Sequence, residues 1–367
     1  MVCKERSSMK KVLCLIDGLG SGGAQRQLVG LANLLKGKGY DVLFVWYHKS
    51  DFYKNFLDEN RVKYKQIHAT NIFQKFWGVK KIVDGFKPDA IISYIDGPNM
   101  ATCLLKVFRL KSTVIVSERA VLQQINAHQK RKFFLYRWAD YIVSNAQEQT
   151  DLINRYFPSL RNKTVTIRNF VDTTVFIPSD VTKDTNDIQM LVVGRIAPPK
   201  NIIRFMDAIK NVQAKGIPLY VKWFGGESFG YHDYIDEVKL KYNKMNFGDT
   251  FQFFPPSRDI LQEYQSCDVF CLPSLFEGFP NVVCEAMSCG KPILCSDVND
   301  NAVIVHDKEN GFLFDPKSTE DMTEKILSFC QMNQNERIAM GQRSRKLAIE
   351  KLSGESFVNK YISLIGQ

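Results

Sequence analysis

The sequence predicts an α/β protein made of two doubly wound parallel-sheet domains in tandem, with a cleft between them. Its 367 residues are too many for one ordinary hydrophobic core and suit two domains. Short continuous apolar runs alternate with stretches of helical periodicity, a pattern typical of parallel α/β sheets. The alternation stops in a polar segment at residues 177–187 and then restarts, so we expect this segment to be the interdomain linker.

The individual elements follow in order along the chain. The first half begins with an apolar strand over Lys11–Asp17, a glycine loop and a helix over Ala24–Leu35. Its other predicted strands are Asp41–Trp46, Ala90–Tyr94, Thr113–Ser117, Tyr141–Ser144 and Val165–Ile167. The second half repeats the pattern with strands over Ile188–Val193, Leu219–Phe224, Phe251–Phe254, Val269–Leu272 and Ile293–Ser296. Helical stretches between these strands predict βαβ units.

Composition excludes several classes of protein. Hydrophobic residues make up 45% of the chain and charged residues 24%, which describes a soluble globular protein. No apolar run reaches the roughly 18–20 residues that a membrane-spanning helix needs. The segment Met1–Lys11 is charged and lacks the apolar core of a secretion signal, so we expect a cytosolic protein. Its nine cysteines form no Cys-x-x-Cys pair, and we interpret them as reduced core residues without metal or disulfide roles.

The charge is unevenly distributed. Residues 1–170 hold 28 basic and 13 acidic side chains, a net charge of +15, whereas the remainder holds 21 and 26, a net charge of −5. This asymmetry predicts that the first half faces an anionic surface, either a membrane or a nucleic acid.

Two carboxylates eight residues apart form the most informative motif. In Glu277-Gly-Phe-Pro-Asn-Val-Val-Cys-Glu285 the first glutamate lies in a loop after a predicted strand, and Pro280 suits the first turn of a helix. Glu285 then lies about two turns inside that helix. Free amides at a helix start attract phosphate. One carboxylate beside that anion site and another farther along the helix therefore indicate a pocket for a sugar nucleotide.

Two further motifs follow the first strand of each half. Gly18-Leu-Gly20-Ser-Gly22-Gly23 matches a dinucleotide fingerprint, but no acidic residue ends the second strand to bind a ribose. We interpret Gly22-Gly23 as a loop that lets backbone approach a phosphate; the alternative is a simple tight turn. Arg195 and Lys200 follow the strand Ile188–Val193 and suit a diphosphate; the alternative is a solvated surface pair.

Together these motifs resemble those of the retaining nucleotide-sugar glycosyltransferases of family 4. The resemblance covers nearly the whole chain, and it implies a GT-B fold of two Rossmann-like doubly wound domains facing a central cleft. Further matching pieces are Asn169-Phe170-Val171-Asp172, Gly225 and Asn310-Gly311-Phe312-Leu313. The implied domains are an acceptor and membrane domain at 1–176 and a donor domain at 177–353. A C-terminal helix over 354–367 is expected to cross back to the first domain.

The resemblance also implies a role for each motif residue. Arg195 and Lys200 would neutralise the leaving diphosphate, Glu285 would hold the ribose hydroxyls, and Glu277 would stabilise the positive charge that develops on the transferred sugar. Other donor-binding positions would be Gly22, Gly23, Gly225, Phe279, Pro280, Asn281 and Val282. No metal or cofactor is expected beyond the nucleotide-sugar co-substrate.

Two positions depart from the family pattern. Gln25 stands where the family often has a glutamate, and Pro255-Pro256 follows a strand that is usually followed by glycine. Proline has no backbone donor, so the expected contact to the nucleotide base is in doubt there.

The acceptor side is expected at the ends of two strands of the first half. Asp96 and Asn99 follow one strand, and Glu118 and Arg119 follow the next. Asp96 or Glu118 would act as a base or bind acceptor hydroxyls; the alternative for each is a helix-capping role. His128 is interpreted as a surface residue of a basic helix.

Two segments combine basic and aromatic residues, over 71–87 and 130–138. Such helices lie in bilayer interfaces; the alternative is a sheet-covering helix with a solvated basic face. No recognition motif for nucleic acid accompanies the charge. An anionic membrane surface is therefore the expected partner.

The sequence thus predicts a retaining glycosyltransferase on the cytoplasmic face of the cell membrane. The expected donor is a UDP-hexose or UDP-N-acetylhexosamine, and the expected acceptor is a glycan linked to a polyprenyl diphosphate. Two alternatives remain open: a sugar-nucleotide epimerase or phosphorylase of the same fold, and a non-catalytic sugar-nucleotide-binding membrane scaffold. An NAD-dependent oxidoreductase is disfavoured because the ribose-binding acid is missing.

Overall fold

The structure is a computed structural model that describes residues 9–20, 22–108, 110–119, 125–179, 187–257 and 259–366. Within these residues the chain divides into two compact units. The first comprises Met1–Asn169 and Gly354–Gln367, and the second Phe170–Ser353. Most of the N-terminal segment Met1–Lys11, Ser21 of the glycine loop and most of the polar segment 177–187 lie outside the described residues.

The first unit is built on a seven-stranded parallel sheet in the order β3-β2-β1-β4-β5-β6-β7. Its strands are β1 (Lys11–Leu15), β2 (Asp41–Trp46), β3 (Lys63–Gln66), β4 (Ala90–Tyr94), β5 (Thr113–Glu118), β6 (Tyr141–Ser144) and β7 (Thr164–Thr166). The helices between them are α1 (Gly23–Gly37), α2 (Lys54–Glu59), α3 (Ile72–Phe86), α4 (Asp96–Val107), α5 (Ala127–Tyr136) and α6 (Gln147–Tyr156). Apolar clusters that include residues of α3, α4 and α5 bury the sheet.

The second unit has a six-stranded parallel sheet in the order β10-β9-β8-β11-β12-β13. Its strands are β8 (Ile188–Val193), β9 (Leu219–Phe224), β10 (Phe251–Phe254), β11 (Val269–Leu272), β12 (Ile293–Ser296) and β13 (Gly311–Phe314). Its helices are α7 (Ile202–Gln213), α8 (His232–Met245), α9 (Ile260–Ser266), α10 (Asn281–Ser288), α11 (Asn301–Ile304), α12 (Thr319–Cys330) and α13 (Gln334–Lys351). Two apolar clusters bury this sheet.

The last helix, α14 (Gly354–Ile365), belongs to the first unit. Tyr361 in α14 shares a hydrogen bond of 2.9 Å with Tyr94 at the end of β4, hydroxyl to hydroxyl. The other passage between the units falls after Asn169, not at 176 and not within the polar segment that we expected to be the linker. The reason is that Arg345 donates to the carbonyls of Phe176 and Thr173 and so ties this stretch to the second unit.

Both units have Rossmann-like strand order, so the predicted fold class is confirmed. All eleven strand pairings among the described residues are parallel. In each sheet the order reverses beside the first strand, between β1 and β4 and between β8 and β11. Ligands of open α/β sheets bind at the carboxyl ends of the strands beside such a switch point. The two switch points therefore locate the places where a site is expected in each unit.

Two strands were missing from the sequence-based prediction, β3 and β13, and both are edge strands. β3 has the sequence Lys-Tyr-Lys-Gln, with alternate residues exposed, so it lacks the continuous apolar run that marks buried parallel strands. β13 begins at Gly311, where a Cβ would overlap the carbonyl oxygen of Ile293. Glycine is required there by the approach of the neighbouring strand, a long-range contact that has no local signal.

Candidate active site

The donor-side residues lie at the switch point of the second unit. The loop after β8 carries Arg195 and Lys200, and the loop after β11 carries Glu277. These two strands are neighbours in the sheet. The amide of Leu275 donates to the carbonyl of Pro199 at 2.8 Å and ties the two loops together. The sheet therefore brings together cations and a carboxylate that are far apart in sequence.

Lys200 and Glu277 form an ion pair across this switch point. The Lys200 Nζ atom lies 2.5 Å from Glu277 Oε1, and the Ser274 hydroxyl donates to the same oxygen at 2.6 Å. The Glu277 amide donates to Asn299 Oδ1 at 2.9 Å. Backbone and side chain of Glu277 are thus both anchored. Among the described residues its second oxygen, Oε2, has no hydrogen-bond partner, which leaves it available to a ligand hydroxyl.

Arg195 is exposed at the start of the same loop. The following residue, Ile196, forms a parallel bridge with Glu227, and its amide donates to the carbonyl of Gly226 at 2.9 Å. The backbone beside Arg195 is therefore fixed to the loop after β9. Within the described ranges the guanidinium itself has no ion-pair partner, so all its donors are available to an anionic ligand.

Glu285 lies in α10, which begins after Pro280. Its side chain is buried, and Oε2 accepts a hydrogen bond of 3.0 Å from the Tyr264 hydroxyl. At the start of the helix the amides of Val283 and Cys284 bond back to the carbonyl of Pro280. Phe279 is buried and Asn281 and Val282 are partly exposed. The predicted carboxylate pair thus occupies two environments, a partly open one at Glu277 and a closed one at Glu285.

Gly225 follows β9, and the two prolines follow the neighbouring strand β10. A Cβ on Gly225 would overlap the carbonyl oxygen of Gly194, so no larger residue fits there without moving backbone. Pro256 lies against Gly226, where a Cβ would be 3.4 Å from the ring. The structure gives Gly225 a packing role beside the predicted donor role.

The glycine loop of the first unit ends at α1. Gly22 is the N-cap of this helix, in an extended conformation and without a side-chain cap. The end of the Gln25 side chain lies against Gly22, in the space that a Cβ would fill. The carboxamide of Gln25 therefore covers the start of the helix, at the position where the related family often has a glutamate. Gly23 is the first residue of α1.

The predicted acceptor residues lie around the switch point of the first unit. Asp96 follows β4 and opens α4, and Glu118 ends β5. Lys132 of α5 lies between them, with Nζ 2.7 Å from Glu118 Oε2 and 3.2 Å from Asp96 Oδ1. The Lys132 and Glu118 side chains are each only 1% exposed. Glu118 is thus an internal counter-ion, whereas Asp96 keeps part of its carboxylate at the surface.

Asn99 links the ends of β4 and β5 by hydrogen bonds. Its amide group donates to the carbonyl of Ser117 and to the Tyr136 hydroxyl, both at 2.9 Å. Its carbonyl oxygen accepts from the Ser93 hydroxyl at 2.8 Å. Asn99 is completely buried, so the geometry gives it a structural role. Burial also raises the pKa of the Tyr136 phenol well above its usual value, with a smaller contribution from nearby Glu118.

Arg119 is held by three partners within the first unit. Its guanidinium lies over the Tyr94 ring at 4.0 Å and donates to Asn169 Oδ1 at 2.6 Å and to the Tyr361 hydroxyl at 3.0 Å. These contacts join the end of β5 to Asn169, the last residue before the chain leaves this unit, and to α14, the helix with which the chain returns to it.

Two contributors to these clusters were not singled out from the sequence: Lys132 and Tyr361. His128 is exposed, as its interpretation as a surface residue predicts, and its Nε2 atom also lies 3.1 Å from Asp96 Oδ2. Lys132 has the sequence context of a solvated basic helix, Lys-Arg-Lys. The available signal was its spacing from Tyr136. Residues four apart in a helix lie on the same face, and Tyr136 is buried.

Neither a bound metal nor a membrane-spanning helix is indicated in the part of the chain that is described. No group of three or more His, Cys, Asp or Glu side chains there is arranged to hold a metal ion. No described helix combines the length and apolar character needed to cross a bilayer. The eight described cysteines are free thiols.

Comparison with solved structures identifies the fold. HepE of Anabaena, solved in complex with UDP and glucose, superposes with a TM-score of 0.84 over 98% of this chain and 100% of its own, at 17% identity. A glycosyltransferase from Rickettsia africae gives a TM-score of 0.82 over 97% and 98% of the two chains, at 16% identity. The fold is that of the GT-B glycosyltransferases.

Sequence comparison then shows which proteins the chain is similar to. Residues 176–347 match the model described as glycosyl transferases group 1. The amylovoran biosynthesis glycosyltransferase AmsD of Erwinia amylovora is 27% identical over 87% of this chain and 89% of its own. An α-1,4-N-acetyl-D-galactosaminyltransferase of Campylobacter jejuni, whose named substrate is a diphosphoundecaprenol-linked glycan, is 26% identical over 76% and 77% of the two chains. The chain is thus similar to glycosyltransferases over most of its length, and its residues 176–347 match the group 1 family.

Proposed function

We propose that the protein transfers a sugar, with retention of configuration, from a UDP-hexose or UDP-N-acetylhexosamine to a glycan linked to a lipid diphosphate. The observation that carries this proposal is the Lys200–Glu277 pair across the switch point of the second unit. A cation for the diphosphate and a carboxylate for the sugar lie within one hydrogen bond of each other. A donor bound there would have its reacting bond beside both groups.

The chemistry follows from the charges at this site. Lys200 and the free Arg195 guanidinium would bind the diphosphate and stabilise it as the bond to the sugar breaks. Glu277 Oε2 would accept from a sugar hydroxyl, and its charge would stabilise the developing positive charge on the ring. The acceptor oxygen would attack from the face that the diphosphate leaves, and its proton would pass to a diphosphate oxygen. In this scheme the two cations neutralise the leaving group, so we propose that no metal is required.

Two relatives support the choice of substrates by name. The Campylobacter relative acts on a diphosphoundecaprenol-linked glycan. An Escherichia coli enzyme that is 28% identical over 42% of this chain is named a UDP-Gal:α-D-GlcNAc-diphosphoundecaprenol α-1,3-galactosyltransferase. Both names combine an N-acetylhexosamine-containing glycan with a lipid diphosphate, which is the acceptor class that we propose here.

The first unit carries a surface suited to an anionic membrane, and we propose that it places the enzyme on the inner face of the cell membrane. We define the α3–α4 patch as Ile72, Phe73, Trp77, Val107 and Phe108. These side chains are strongly exposed, Phe73 at 74%, Phe108 at 67% and Trp77 at 61%. Phe76 joins the two helices, with ring centroids 5.8 Å from Trp77 and 6.2 Å from Phe108.

Lysines accompany this patch. Lys75 and Lys81 lie on α3, and Lys111 follows α4. Exposed aromatic side chains beside basic ones are the pattern of a surface that enters the interface of an anionic bilayer. The second basic segment is less suited, because Phe133 of α5 is buried and Arg137 stacks on Phe134 at 4.1 Å. We therefore assign membrane contact to the α3–α4 patch.

The transfer proposal is tested with purified protein, UDP-, GDP- and ADP-sugars, and a polyprenyl-diphosphate N-acetylhexosamine. We expect transfer from a UDP-sugar only, an α-linked product from an α-linked donor by NMR, and full activity in the presence of EDTA. An inverted product would refute retention, and no transfer from any donor despite tight UDP binding would favour a non-catalytic binding protein.

The membrane proposal is tested by flotation with vesicles that contain anionic phospholipid. The double variant Phe73→Ser/Trp77→Ser is expected to lose most of its vesicle binding at low salt, because two interfacial anchors are removed. Phe134→Ser is the matched control, an exposed phenylalanine of α5, and it is expected to bind as the wild type does. Equal loss in both variants would show that the α3–α4 patch has no special role.

A further inference from the structure

A histidine–aspartate pair stands beside the switch point of the first unit. His128, in the first turn of α5, has its Nε2 atom 3.1 Å from Asp96 Oδ2. Asp96 is the first residue of α4, one residue beyond the end of β4. β4 is the neighbour of β1 at which the strand order reverses, and β1 leads into the glycine loop. The imidazole is more than half exposed, so the pair is open to a ligand at the place where this type of sheet binds one.

The orientation of Asp96 is determined from two sides. Lys132 contacts Asp96 Oδ1 at 3.2 Å while pairing with Glu118 at 2.7 Å, so one carboxylate oxygen is assigned to Lys132 and the other to His128. The preceding residue, Ile95, has φ of 76° and ψ of 153°. A β-branched residue at positive φ is strained and persists only where its surroundings impose it. The carboxylate is thus held in place at an energetic cost.

This arrangement selects one tautomer of the imidazole. A carboxylate is an acceptor, so it favours the proton of His128 on Nε2. Nδ1 is then left with a lone pair. A nitrogen of this kind accepts a hydrogen bond from a hydroxyl group, and it does not donate to a phosphate oxygen. Besides Asp96 itself on α4, the charged groups beside the imidazole among the described residues are Lys132 on α5, which contacts Asp96, and Glu118 on β5, which pairs with Lys132.

We propose that His128 binds the sugar acceptor, with Nδ1 accepting a hydrogen bond from an acceptor hydroxyl, and that Asp96 positions the imidazole by holding its Nε2 proton. The recognised chemistry is a glycan hydroxyl, not the lipid diphosphate. The proposal rests on the transferase function proposed above and assigns one acceptor contact within it. In this role Asp96 acts through His128, and Glu118 is a counter-ion of Lys132.

Asp96→Asn tests the tautomer directly. In this variant Lys132 retains the amide oxygen, because a cation requires an acceptor, and the NH₂ group therefore faces His128. The imidazole must then accept at Nε2 and carry its proton on Nδ1, which turns the acceptor atom into a donor. Nitrogen-15 NMR of the histidine rings reads this change without any substrate. The protein has five histidines, and the His128 signals are identified by their loss in His128→Asn.

We expect the Nε2-protonated form of His128 in the wild type and the Nδ1-protonated form in Asp96→Asn. A wild-type ring protonated on Nδ1, or a ring unaffected by Asp96→Asn, would overturn the assigned hydrogen bond. This measurement is independent of whether the protein transfers a sugar.

Steady-state kinetics tests the contact to the acceptor. His128→Ala is expected to raise the KM for a polyprenyl-diphosphate N-acetylhexosamine about 5- to 10-fold, the usual effect of one lost hydrogen bond. The KM for the UDP-sugar and its slow hydrolysis to UDP without acceptor should not change. His128→Asn places an amide oxygen near the position of Nδ1 and should restore part of the acceptor affinity. His68→Ala, at another exposed histidine of the first unit, is the matched control.

The outcomes separate this inference from the proposed function. Active wild type with an unchanged acceptor KM in His128→Ala would overturn the inference and leave the transferase function standing. A loss that appears equally in donor hydrolysis would also overturn it, because the effect would then be structural. Absence of transfer by the wild type would refute the proposed function and, with it, this acceptor contact.

Discussion

The buried Lys132–Glu118 pair offers a quantitative test of how the first unit is held together. Lys132→Met keeps the length of the aliphatic stem but removes the charge. Glu118 then remains at the end of β5, 1% exposed and 2.7 Å from where the ammonium was. The variant therefore removes the cation that pairs with this buried carboxylate.

The expected cost follows from the environment of the pair. Removing one partner of a buried ion pair typically destabilises a protein by about 3–5 kcal/mol, since the remaining charge stays desolvated. For a unit of this size each kcal/mol lowers Tm by about 2–4 °C. We therefore expect the first unit of Lys132→Met to melt roughly 6–20 °C below that of the wild type. Asp96 loses the same cation, but its carboxylate remains partly hydrated. It therefore adds little to the expected loss of stability.

Hydrogen exchange read by mass spectrometry is the appropriate assay, because a two-unit chain need not unfold in one step. Peptides from β4 and β5 should lose protection in Lys132→Met, while peptides from β8 and β11 of the second unit serve as an internal control. The double variant Lys132→Met/Glu118→Leu removes both charges and should recover much of the loss.

Two results would refute this reasoning. Unchanged protection in Lys132→Met would mean that Glu118 is hydrated or neutral and that the pair is not a buried one. A double variant as unstable as the single one would mean that the loss comes from packing of the side chains and not from the unpaired charge.

The remaining predictions concern the second unit. Glu277→Gln keeps the hydrogen bond from Ser274 but removes the charge, so kcat should fall about 10²- to 10³-fold with the donor KM little changed; wild-type turnover would contradict the proposed site. Lys200→Ala should chiefly raise the donor KM or slow the departure of UDP. Calorimetric titration with UDP and pre-steady-state kinetics would measure these two effects. Unchanged UDP affinity and turnover would exclude Lys200 from the diphosphate site. Gly225→Ala should destabilise the second unit by about 1–3 kcal/mol through overlap with the carbonyl of Gly194, measured by thermal unfolding, and an unaltered Tm would show that the loops separate freely.

Much of the fold was predictable because its signals are local. Buried parallel strands are continuous apolar runs, and the predicted Asp41–Trp46, Ala90–Tyr94 and Ile188–Val193 have the observed bounds. The edge strand β3 was missed because a strand at the edge of a sheet pairs with only one neighbour. Its residues can therefore be polar, so it lacks the apolar run by which buried strands are recognised. The passage between the units was misplaced because polar composition marks a segment as exposed but does not reveal which core it packs against. Arg345 decides that by its contacts with Thr173 and Phe176.

The sequence alone determined which residue types stand at the ends of which strands, since strand period and helix capping are properties of short segments. Tertiary structure decided which of them meet. Lys200 and Glu277 are 77 residues apart in sequence yet joined, because the chain passes through β9 and β10 before β11 returns to lie beside β8. Asp96 and His128 are brought together in the same way, across 32 residues. Burial also divided similar side chains into different roles, since Glu118 lies inside with Lys132 while Asp96 remains at the surface. Such differences arise from desolvation by distant parts of the chain, which no local pattern encodes.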